Sequence, residues 1–509
     1  MTISSALSQR WDAARLWQRM AAAALLGAVA AFGNAPWNAW PLSIVALAVI
    51  YGTFRHTTRA RDAALLGCVA GTGYFMVALS WIIEPFLVDP VRHGWMAPFA
   101  VTLLSFYLAW YWAGAFALAR ALGGGPSAFA GAFVFGEGMR ALFFTGFGWA
   151  QIGHVLIDTP LLHYASFGGA MVLLLMVWAV AMALWHLVAR QGGVMGPAAV
   201  LIGVGVLYAF APFLRPDASP DEGAPVVRVV QPNAPQHEKW DPEKMSVFFD
   251  RQLRFTGAQG TRGRPDLVVW PETAIPYLLS DAPPVLETIA AEARGAQVVL
   301  GLRRYDGPRI YNTLIAMDAD GLVGSLYDKH HLVPFGEFVP FGDLMARFGI
   351  GGLASENGLG FSSGPGPGVV DLGKLGRAAP LICYEGIFAR NLLNMPTRAD
   401  MILMITNDAW FGNVSGPYQH LAQGRLRAVE QGLPMVRSAN TGISAIVDAS
   451  GQVVASIPLG EAGFADAALP PPLPPTLYSR TGDWPAYALA VLLLIWSPLR
   501  RRVLSQVKN

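Results

Sequence analysis

The stretch RAAPLICYEGIF places Cys383 after an apolar run and directly before Tyr384 and Glu385. The chain has two cysteines, and the other one, Cys68, lies in an apolar segment far away in the sequence. A cysteine beside a carboxylate is either an inert, buried side chain or a nucleophile that a neighbouring base activates. The rest of the sequence has to distinguish these two interpretations.

Polar side chains also follow two other apolar runs that are typical of strands. DLVVWPE ends at Glu272, and MILMITND ends with Asn407 and Asp408. In α/β sheets, side chains from distant parts of the chain converge at the ends of the strands. These residues and Cys383 can therefore share one site.

The segment YDKHHLVPFGEF adds Lys329 and Glu337 around a Pro-Phe-Gly turn. Its His330 and His331 are a weak metal signal, because they lack a cysteine partner or an HExxH-type spacing. We therefore expect no metal and no other cofactor. Taken alone, each polar residue also has an ordinary structural interpretation: Glu272, for example, as a helix cap and Lys329 as a solvated surface charge.

One glutamate, one lysine and one cysteine together can carry out nucleophilic catalysis. A free cysteine has a pKa of about 8.5 and little thiolate at neutral pH, so a base must remove its proton. A positively charged donor must also stabilise the oxyanion that forms when a thiolate attacks a carbonyl group. Glu272, Lys329 and Cys383 lie on separate strand-end segments and fill these roles of base, oxyanion donor and nucleophile.

The composition is that of a membrane protein. The 509 residues exceed one ordinary domain, so we expect at least two folding units. Only 14% of the residues are charged, 53% are hydrophobic and the mean hydropathy is +0.40, all far from the averages of soluble proteins. The net charge is +2 and there is no dense Lys/Arg run, so no nucleic-acid partner is expected.

Eight apolar stretches are long enough to cross a bilayer, which takes about 20 residues. Seven of them lie in the first 214 residues and the eighth lies near the C-terminus: 18–34, 37–54, 63–87, 94–119, 127–146, 163–189, 194–214 and 484–499. We therefore predict a multispan α-helical membrane domain of about eight transmembrane helices. Seven spans form residues 1–214, and residues 484–509 form a C-terminal span with a cytoplasmic tail.

Basic residues in the short loops predict the orientation of these spans, because cytoplasmic loops are rich in Lys and Arg. Such residues precede the first span and follow the last one: Arg10, Arg15 and Arg19, and Arg500, Arg501, Arg502 and Lys508. We therefore expect both termini in the cytoplasm and residues 215–483 outside it. Glu137 and Arg140, three residues apart in the fifth span, are interpreted as a structural charge pair, with contact to a substrate headgroup as the alternative.

Residues 215–483 have the pattern of a separate α/β domain. Short apolar runs such as VVRVVQ, AQVVLGL and ISAIVDASG alternate with segments of helical character at 242–256, 283–294 and 417–431. Prolines begin two of these helical segments and glycines follow them, as is typical of helix boundaries. Strands that alternate with helices predict a layered α/β fold.

Four motifs of this domain resemble the nitrilase, or carbon–nitrogen hydrolase, superfamily. They are WPET around Glu272, YDKHHLVPFGEF around Lys329, ICYE around Cys383, and TNDAWFG at 406–412. The resemblance implies an αββα sandwich in which Glu272 is the base, Lys329 stabilises the oxyanion and Cys383 is the nucleophile. It also implies supporting positions at the active site: Glu337, Tyr384, Glu385, Asn312 and Trp240.

Together with the apolar stretches, these motifs resemble the family of bacterial apolipoprotein N-acyltransferases over essentially the whole chain. That resemblance implies acyl transfer from a membrane phospholipid, through a thioester on Cys383, to the α-amine of the diacylglyceryl-modified cysteine of an apolipoprotein. It also implies a multi-pass protein of the bacterial inner membrane whose catalytic domain is periplasmic. Two alternatives stay open: a membrane-tethered, nitrilase-type amidase, and a non-enzymatic multispan transporter with an external binding domain.

The stretch FVPFGDLMARFGIGGL, at 338–353, is predicted to be a mobile arm that enters the outer leaflet and covers the active site. It carries the apolar side chains of Phe338, Phe341 and Phe348, which would contact lipid. Pro340 and four glycines interrupt a helical period in this stretch. A core helix of the external domain is the alternative interpretation.

Overall fold

The computed structural model describes residues 14–190, 193–340 and 360–506. The chain divides into two compact units, one made of Met1–Arg215 with Leu477–Asn509 and the other made of Pro216–Thr476. In the described part of the chain, the first unit is helical and all strands lie in the second unit. The C-terminal helices therefore group with the N-terminal ones.

Helices occupy the two ends of the chain, and helices and strands alternate in the middle. The α-helices are α1 Leu16–Ala31, α2 Trp40–His56, α3 Ala60–Ala78, α4 Pro90–His93, α5 Ala97–Ala121, α6 Pro126–Leu142, α7 Ala165–Ala189, α8 Met195–Phe210, α9 Met245–Gly257, α10 Pro283–Ala293, α11 Ala389–Leu393, α12 Gly416–Gln431, α13 Leu477–Thr481 and α14 Trp484–Gln506. Short 3₁₀ helices lie at Ser80–Leu87, Gly94–Met96, Ile152–Leu156, Pro160–Tyr164, Ala211–Leu214, Leu279–Asp281, Gly373–Leu375, Cys383–Ile387 and Asp408–Phe411. The strands are β1 Val226–Gln231, β2 Leu267–Val269, β3 Gln297–Asp306, β4 Arg309–Met317, β5 Val323–Asp328, β6 Val370–Asp371, β7 Arg377–Ile382, β8 Met401–Thr406, β9 Met435–Ala439, β10 Ser444–Val447, β11 Val453–Ile457 and β12 Gly463–Ala468.

Helices are present in each of the eight apolar stretches of the first unit. Among the described residues, three helical segments are long and apolar enough to cross a membrane: Pro90–Ala121, Pro160–Ala189 and Met195–Leu214. A fourth is reached if Ala60–Ala78 and Ser80–Leu87, which are bent by 49° against each other, form one span. The apolar segments Leu16–Ala31 and Trp484–Ser497 are shorter. The number of eight spans and their orientation therefore stay predictions.

The charge pair of the fifth stretch is buried inside the first unit. Arg140 Nη2 donates to Glu137 Oε2 at 2.5 Å, and Trp112 Nε1 donates to Glu137 Oε1 at 2.9 Å. Arg140 Nη1 also donates to the carbonyl oxygens of Phe147 and Trp149, at 2.7 and 2.8 Å. Both charges thus have partners within the unit, and Arg140 holds the turn that follows α6. This geometry fits the structural interpretation of the pair.

Two six-stranded sheets form the second unit. Their strand orders are β12-β1-β2-β3-β4-β5 and β11-β10-β9-β8-β7-β6. The strands β1, β2 and β3 of the first sheet run parallel, as do β7, β8 and β9 of the second, and the remaining strands pair antiparallel. The short run LVV of β2 and the run MILMIT of β8 are completely buried, as is typical of parallel strands that are covered on both faces.

The two sheets pack face to face and carry helices on their outer faces. Ser438 Oγ on β9 donates to the carbonyl oxygen of Val230 on β1 at 2.9 Å, which joins the two sheets. Helices α9 and α10 cover the first sheet, where Trp270 and Ile289 belong to one apolar core. Helix α12 covers the second sheet, where Ala428 is part of another core. The unit therefore has the predicted αββα layers.

The outer helices begin and end at the residues that such boundaries require. Helix α12 has Pro417 in its first turn, and it ends at Gly432, whose φ of +64° lies in the left-handed region. Helix α10 likewise begins with two prolines and is followed by Gly295, with a φ of +101°. These local signals fix the ends of the helices that cover the sheets.

Candidate active site

The three residues predicted to catalyse the reaction follow strands of both sheets. Glu272 lies three residues after β2, Lys329 directly follows β5, and Cys383 directly follows β7. All three are buried, with exposed fractions of 5%, 1% and 5%. The structure therefore brings together side chains that lie far apart in the sequence, since Glu272 and Cys383 are separated by 111 residues.

Donors from three separate segments hold the carboxylate of Glu272. Asn312 Nδ2, on β4, donates to Glu272 Oε1 at 2.6 Å. The backbone N–H of Asn407, after β8, donates to Glu272 Oε2 at 2.9 Å. Lys329 Nζ lies 3.6 Å from Glu272 Oε1. The carboxylate is therefore fixed by both sheets, and Asn312 lies at the site as expected.

Lys329 lies between two carboxylates. Its Nζ donates to Glu337 Oε1 at 2.8 Å, and Glu337 Oε2 accepts a hydrogen bond from the backbone N–H of Val333 at 2.9 Å. Burial lowers the pKa of Lys329, but Glu337, Glu272 and Cys383 outweigh burial, so the pKa is raised above its usual range. Burial raises the pKa of Glu337, which Lys329 opposes. Lys329 therefore stays a cation and is available to stabilise an oxyanion.

The backbone turns sharply at Cys383. The φ angle of Cys383 is +52°, in the left-handed region that residues with a side chain rarely adopt. Burial and the neighbouring Glu272 raise the pKa of the thiol, while Lys329 opposes the shift. An attack of this thiol on a carbonyl group would therefore need a base that removes the proton.

Glu385 connects the segment of Lys329 to the turn at Cys383. Its Oε1 accepts hydrogen bonds from Tyr327 Oη at 2.9 Å and from the backbone N–H of His330 at 2.9 Å. Its Oε2 accepts the backbone N–H of Ile382 at 2.8 Å. Burial raises the pKa of Glu385, but His330 and Ile382 lower it by more, so the pKa is below its usual range. Glu385 is therefore a permanent carboxylate that braces two loops.

The remaining supporting residues lie at the edges of this cluster. The ring of Tyr384 packs edge-on against His331 and Phe388, with centroid distances of 5.6 and 5.0 Å. Trp240 is 38% exposed, and its ring lies 5.0 Å from Lys239 Nζ and 5.6 Å from the guanidinium carbon of Arg303. Tyr384 is thus part of the buried site, and Trp240 lies on its exposed side.

The predicted lipid arm falls mostly outside the described residues. Phe338 is half-buried, and its carbonyl oxygen accepts a hydrogen bond from the backbone N–H of Phe335 at 2.7 Å. Phe341 and Phe348 lie outside the described residues. The arm therefore stays a prediction.

Lys239, which directly precedes Trp240, is a residue of this site that no sequence pattern reveals. Lys239 is 6% exposed, and its Nζ donates to the carbonyl oxygen of Glu272 at 3.1 Å and to Thr273 Oγ1 at 3.0 Å. Thr273 has a φ of +45°, so Lys239 holds a strained turn next to Glu272. Burial, with help from Arg303 and against Glu272, lowers the pKa of Lys239 to about 7. In sequence, a lysine between Glu238 and Trp240 is indistinguishable from a surface charge.

No group of His, Cys, Asp and Glu side chains in the described ranges is arranged to hold a metal ion. The site itself offers a thiol, carboxylates and an ammonium group. Such a set can form and break an acyl bond to sulfur.

Comparison with known proteins shows the family of the chain. The profile described as carbon–nitrogen hydrolase matches residues 229–473, and the profile described as apolipoprotein N-acyltransferase N-terminal domain matches residues 26–184. A protein of Rhodopseudomonas palustris named apolipoprotein N-acyltransferase is 37% identical over 529 aligned residues, which cover 98% of both chains. The chain belongs to the apolipoprotein N-acyltransferase family.

A second relative and a solved structure are also similar to this chain. An apolipoprotein N-acyltransferase of Brucella melitensis is 37% identical over 508 aligned residues, covering 94% of both chains. A carbon–nitrogen hydrolase superfamily protein of Xanthomonas campestris with a known structure is 21% identical over 52% of this chain and 96% of its own, with a TM-score of 0.36. That structural similarity is too low to support a functional argument.

Gly301 on β3 lies against the backbone of Glu272. Replacing Gly301 therefore tests whether activity depends on the exact position of Glu272. A Cβ atom at Gly301 would lie 2.7 Å from Glu272 Cα and 2.6 Å from Thr273 N. Gly301→Ala should therefore displace Glu272 and lower acyl-transfer activity by about 100-fold. Gly324→Ala, on β5, meets no atom within 4 Å and should keep wild-type activity. Equal activity of the two variants would contradict the tight placement of Glu272.

The depressed pKa of Lys239 predicts a pH-dependent stability. Because the folded pKa of about 7 lies below the usual 10.5, the unfolded chain binds more protons between these pH values. The free energy of unfolding should therefore rise with pH from about 7 to about 10.5, by up to about 1.4 kcal/mol per pH unit. The measurement is the melting temperature of the full chain against that of Lys239→Met, with the exposed Lys374→Met as the charge control. If the difference in melting temperature between wild type and Lys239→Met does not change with pH, the lowered pKa of Lys239 is contradicted.

Proposed function

We propose that this member of the apolipoprotein N-acyltransferase family moves an acyl chain from a membrane phospholipid to the N-terminal diacylglyceryl-cysteine of a lipoprotein. A thioester on Cys383 would carry the acyl chain between the two substrates. The observation that supports this mechanism is the convergence of Glu272, Lys329 and Cys383, all buried, from segments of both sheets. Glu337, Glu385 and Asn312 hold the first two residues and the turn at the third.

The first step forms the thioester. Glu272 takes the proton of the Cys383 thiol, and the sulfur attacks the ester carbonyl of the phospholipid. Lys329 stabilises the oxyanion of the tetrahedral intermediate. The carbon–oxygen bond then breaks, and the leaving alkoxide of the lysophospholipid takes the proton from Glu272. The acyl group is now bound to sulfur.

The second step forms the amide. The α-amine of the diacylglyceryl-cysteine attacks the thioester carbonyl, and Glu272 accepts a proton from the nitrogen. Lys329 again stabilises the oxyanion. The carbon–sulfur bond breaks, and the Cys383 thiolate regains its proton from Glu272. One difficult transfer from an ester to an amine is thus divided into two easier steps.

Two alternatives differ from this proposal in what receives the acyl group. A nitrilase-type amidase would pass it to water, and a transporter would form no acyl bond at all. The family membership and the buried site both favour transfer to an amine, because water must be kept from a thioester that waits for its second substrate. The apolar helices of the first unit are consistent with two substrates that are held in a bilayer.

The thioester predicts a covalent adduct on Cys383. Full-length protein incubated with phospholipid alone should gain the mass of one acyl chain, and hydroxylamine should remove it because it cleaves thioesters. Intact-protein mass spectrometry measures both. Cys383→Ala should form no adduct and have no transferase activity, and Glu272→Gln should lower both by at least 1,000-fold because it lacks the base. Cys68→Ser is the matched control and should form the adduct normally.

Acyl transfer that persists in Cys383→Ala would rule out the covalent mechanism. Loss of the adduct to water at the same rate with and without a lipoprotein acceptor would instead support the amidase alternative.

We further propose that the catalytic unit faces the periplasm, as the distribution of arginines predicts. Alkaline phosphatase is active only outside the cytoplasm, so its fusion near residue 300 should be active and its fusion at residue 509 should be inactive. The reverse pattern would overturn the proposed orientation, and activity at both positions would contradict the single C-terminal span that returns the chain to the cytoplasm.

A further inference from the structure

A buried polar cluster next to Cys383 has no role in the steps above. It consists of Asp408, which follows β8, His420 on α12, and Arg437 on β9, and each has an exposed fraction of 0%. His420 Nδ1 lies 2.9 Å from Asp408 Oδ1 and 3.2 Å from Arg437 Nη2. Arg437 Nη2 donates to Asp408 Oδ2, and Thr406 Oγ1 donates to Asp408 Oδ1 at 2.8 Å. The imidazole ring is thus held on one edge by an ion pair.

The other edge of the His420 ring contacts the nucleophile's backbone. His420 Nε2 lies 3.1 Å from the carbonyl oxygen of Cys383. A carbonyl oxygen only accepts hydrogen bonds, so this contact is a hydrogen bond in the tautomer that carries the proton on Nε2, and Nδ1 then accepts from Arg437 Nη2. A helix and two strands therefore meet, through His420, at the residue that bears the thiol.

This hydrogen bond acts on the strained turn. With a φ of +52°, Cys383 keeps its left-handed conformation only if its surroundings hold it there. A donor on the carbonyl oxygen fixes the plane of the peptide between Cys383 and Tyr384. Because that peptide is planar and trans, fixing its carbonyl also fixes the opposite direction of the Tyr384 N–H. The direction of the thiol relative to Glu272 and Lys329 depends on the same peptide.

We infer that His420 is a positioning residue, which holds the Cys383 carbonyl through Nε2 and so aims the thiol, while Arg437, held in place by its ion pair with Asp408, orients the ring through Nδ1. His420 contacts none of the reacting atoms. The inference rests on the proposed function in that Cys383 is the nucleophile. Helix α12, which carries none of Glu272, Lys329 and Cys383, thereby contributes a residue that supports the reaction.

The test uses two substitutions that differ in one donor. In His420→Gln the side-chain amide nitrogen can reach the place of Nε2 and donate to the Cys383 carbonyl, whereas His420→Met has a similar length and no donor. His420→Asn is a third variant, whose shorter amide keeps a group near Asp408 and does not reach the carbonyl. A role limited to filling the core would make the Gln and Met variants equally active.

The primary measurement is the single-turnover rate of acyl-adduct formation on Cys383 in full-length protein. The probe is phosphatidylethanolamine in mixed detergent micelles, followed by intact-protein mass spectrometry. His420→Met and His420→Asn should slow acylation at saturating lipid at least tenfold, with an unchanged half-saturating lipid concentration. His420→Gln should stay within about threefold of wild type. Equal rates in all variants, or rates that follow the melting temperatures, would overturn the inference.

A second measurement separates this inference from the proposed function. The rate at which iodoacetamide alkylates Cys383, measured in a Cys68→Ser background, depends on the direction of the thiol and needs no lipid substrate. It should match wild type in His420→Gln and differ at least threefold in His420→Met or, if that variant does not fold, in His420→Asn. If wild type forms no acyl adduct, the proposed function fails, and the alkylation rates alone then decide for or against His420.

Discussion

A buried ammonium group between two carboxylates is the constraint on which the site depends. Lys329 Nζ lies 2.8 Å from Glu337 Oε1 and 3.6 Å from Glu272 Oε1, in a place with almost no contact with solvent. Isolated charges cannot be buried there, because the loss of hydration would exceed what the fold gains elsewhere. The three groups must therefore arrive together, and they come from different segments of the first sheet and its loops. The αββα sandwich supplies the frame that makes this convergence possible.

Glu272 and Cys383, the proposed base and nucleophile, are presented in a similar way. Glu272 and Cys383 each follow a parallel strand, and a left-handed residue lies at each turn, Thr273 in one case and Cys383 itself in the other. A buried nitrogen lies within hydrogen-bond distance of the carbonyl oxygen of each residue, Lys239 Nζ near that of Glu272 and His420 Nε2 near that of Cys383, both at 3.1 Å. Strained turns of this kind persist only where the surroundings determine them more than once. The donors and the packed sheets together provide that.

The sequence allowed the strand ends to be predicted, because polar residues after fully apolar runs are a local pattern that identifies Glu272 and Cys383. It did not reveal Lys239 or His420, because their roles come from contacts between distant segments and each has an ordinary neighbourhood in the chain. Helices lie in the predicted apolar stretches, but they are often shorter than the stretches. The stretch 127–146, for example, contains a helix that ends at Leu142. The hydropathy of a stretch includes apolar turn residues that follow its helix. The length of an apolar stretch therefore does not by itself determine the number of spans.

The proposed mechanism makes a particular demand on the Cys383 thiol. Burial raises the pKa of Cys383, so the proposed attack needs a base to take the proton, and the carboxylate of Glu272 is held for this role by Asn312 and the Asn407 backbone. Once the thioester has formed, attack by an amine leads to an amide that the released thiol does not readily reverse. One fixed carboxylate would therefore serve both proposed proton transfers, from the thiol in the first step and from the amine in the second.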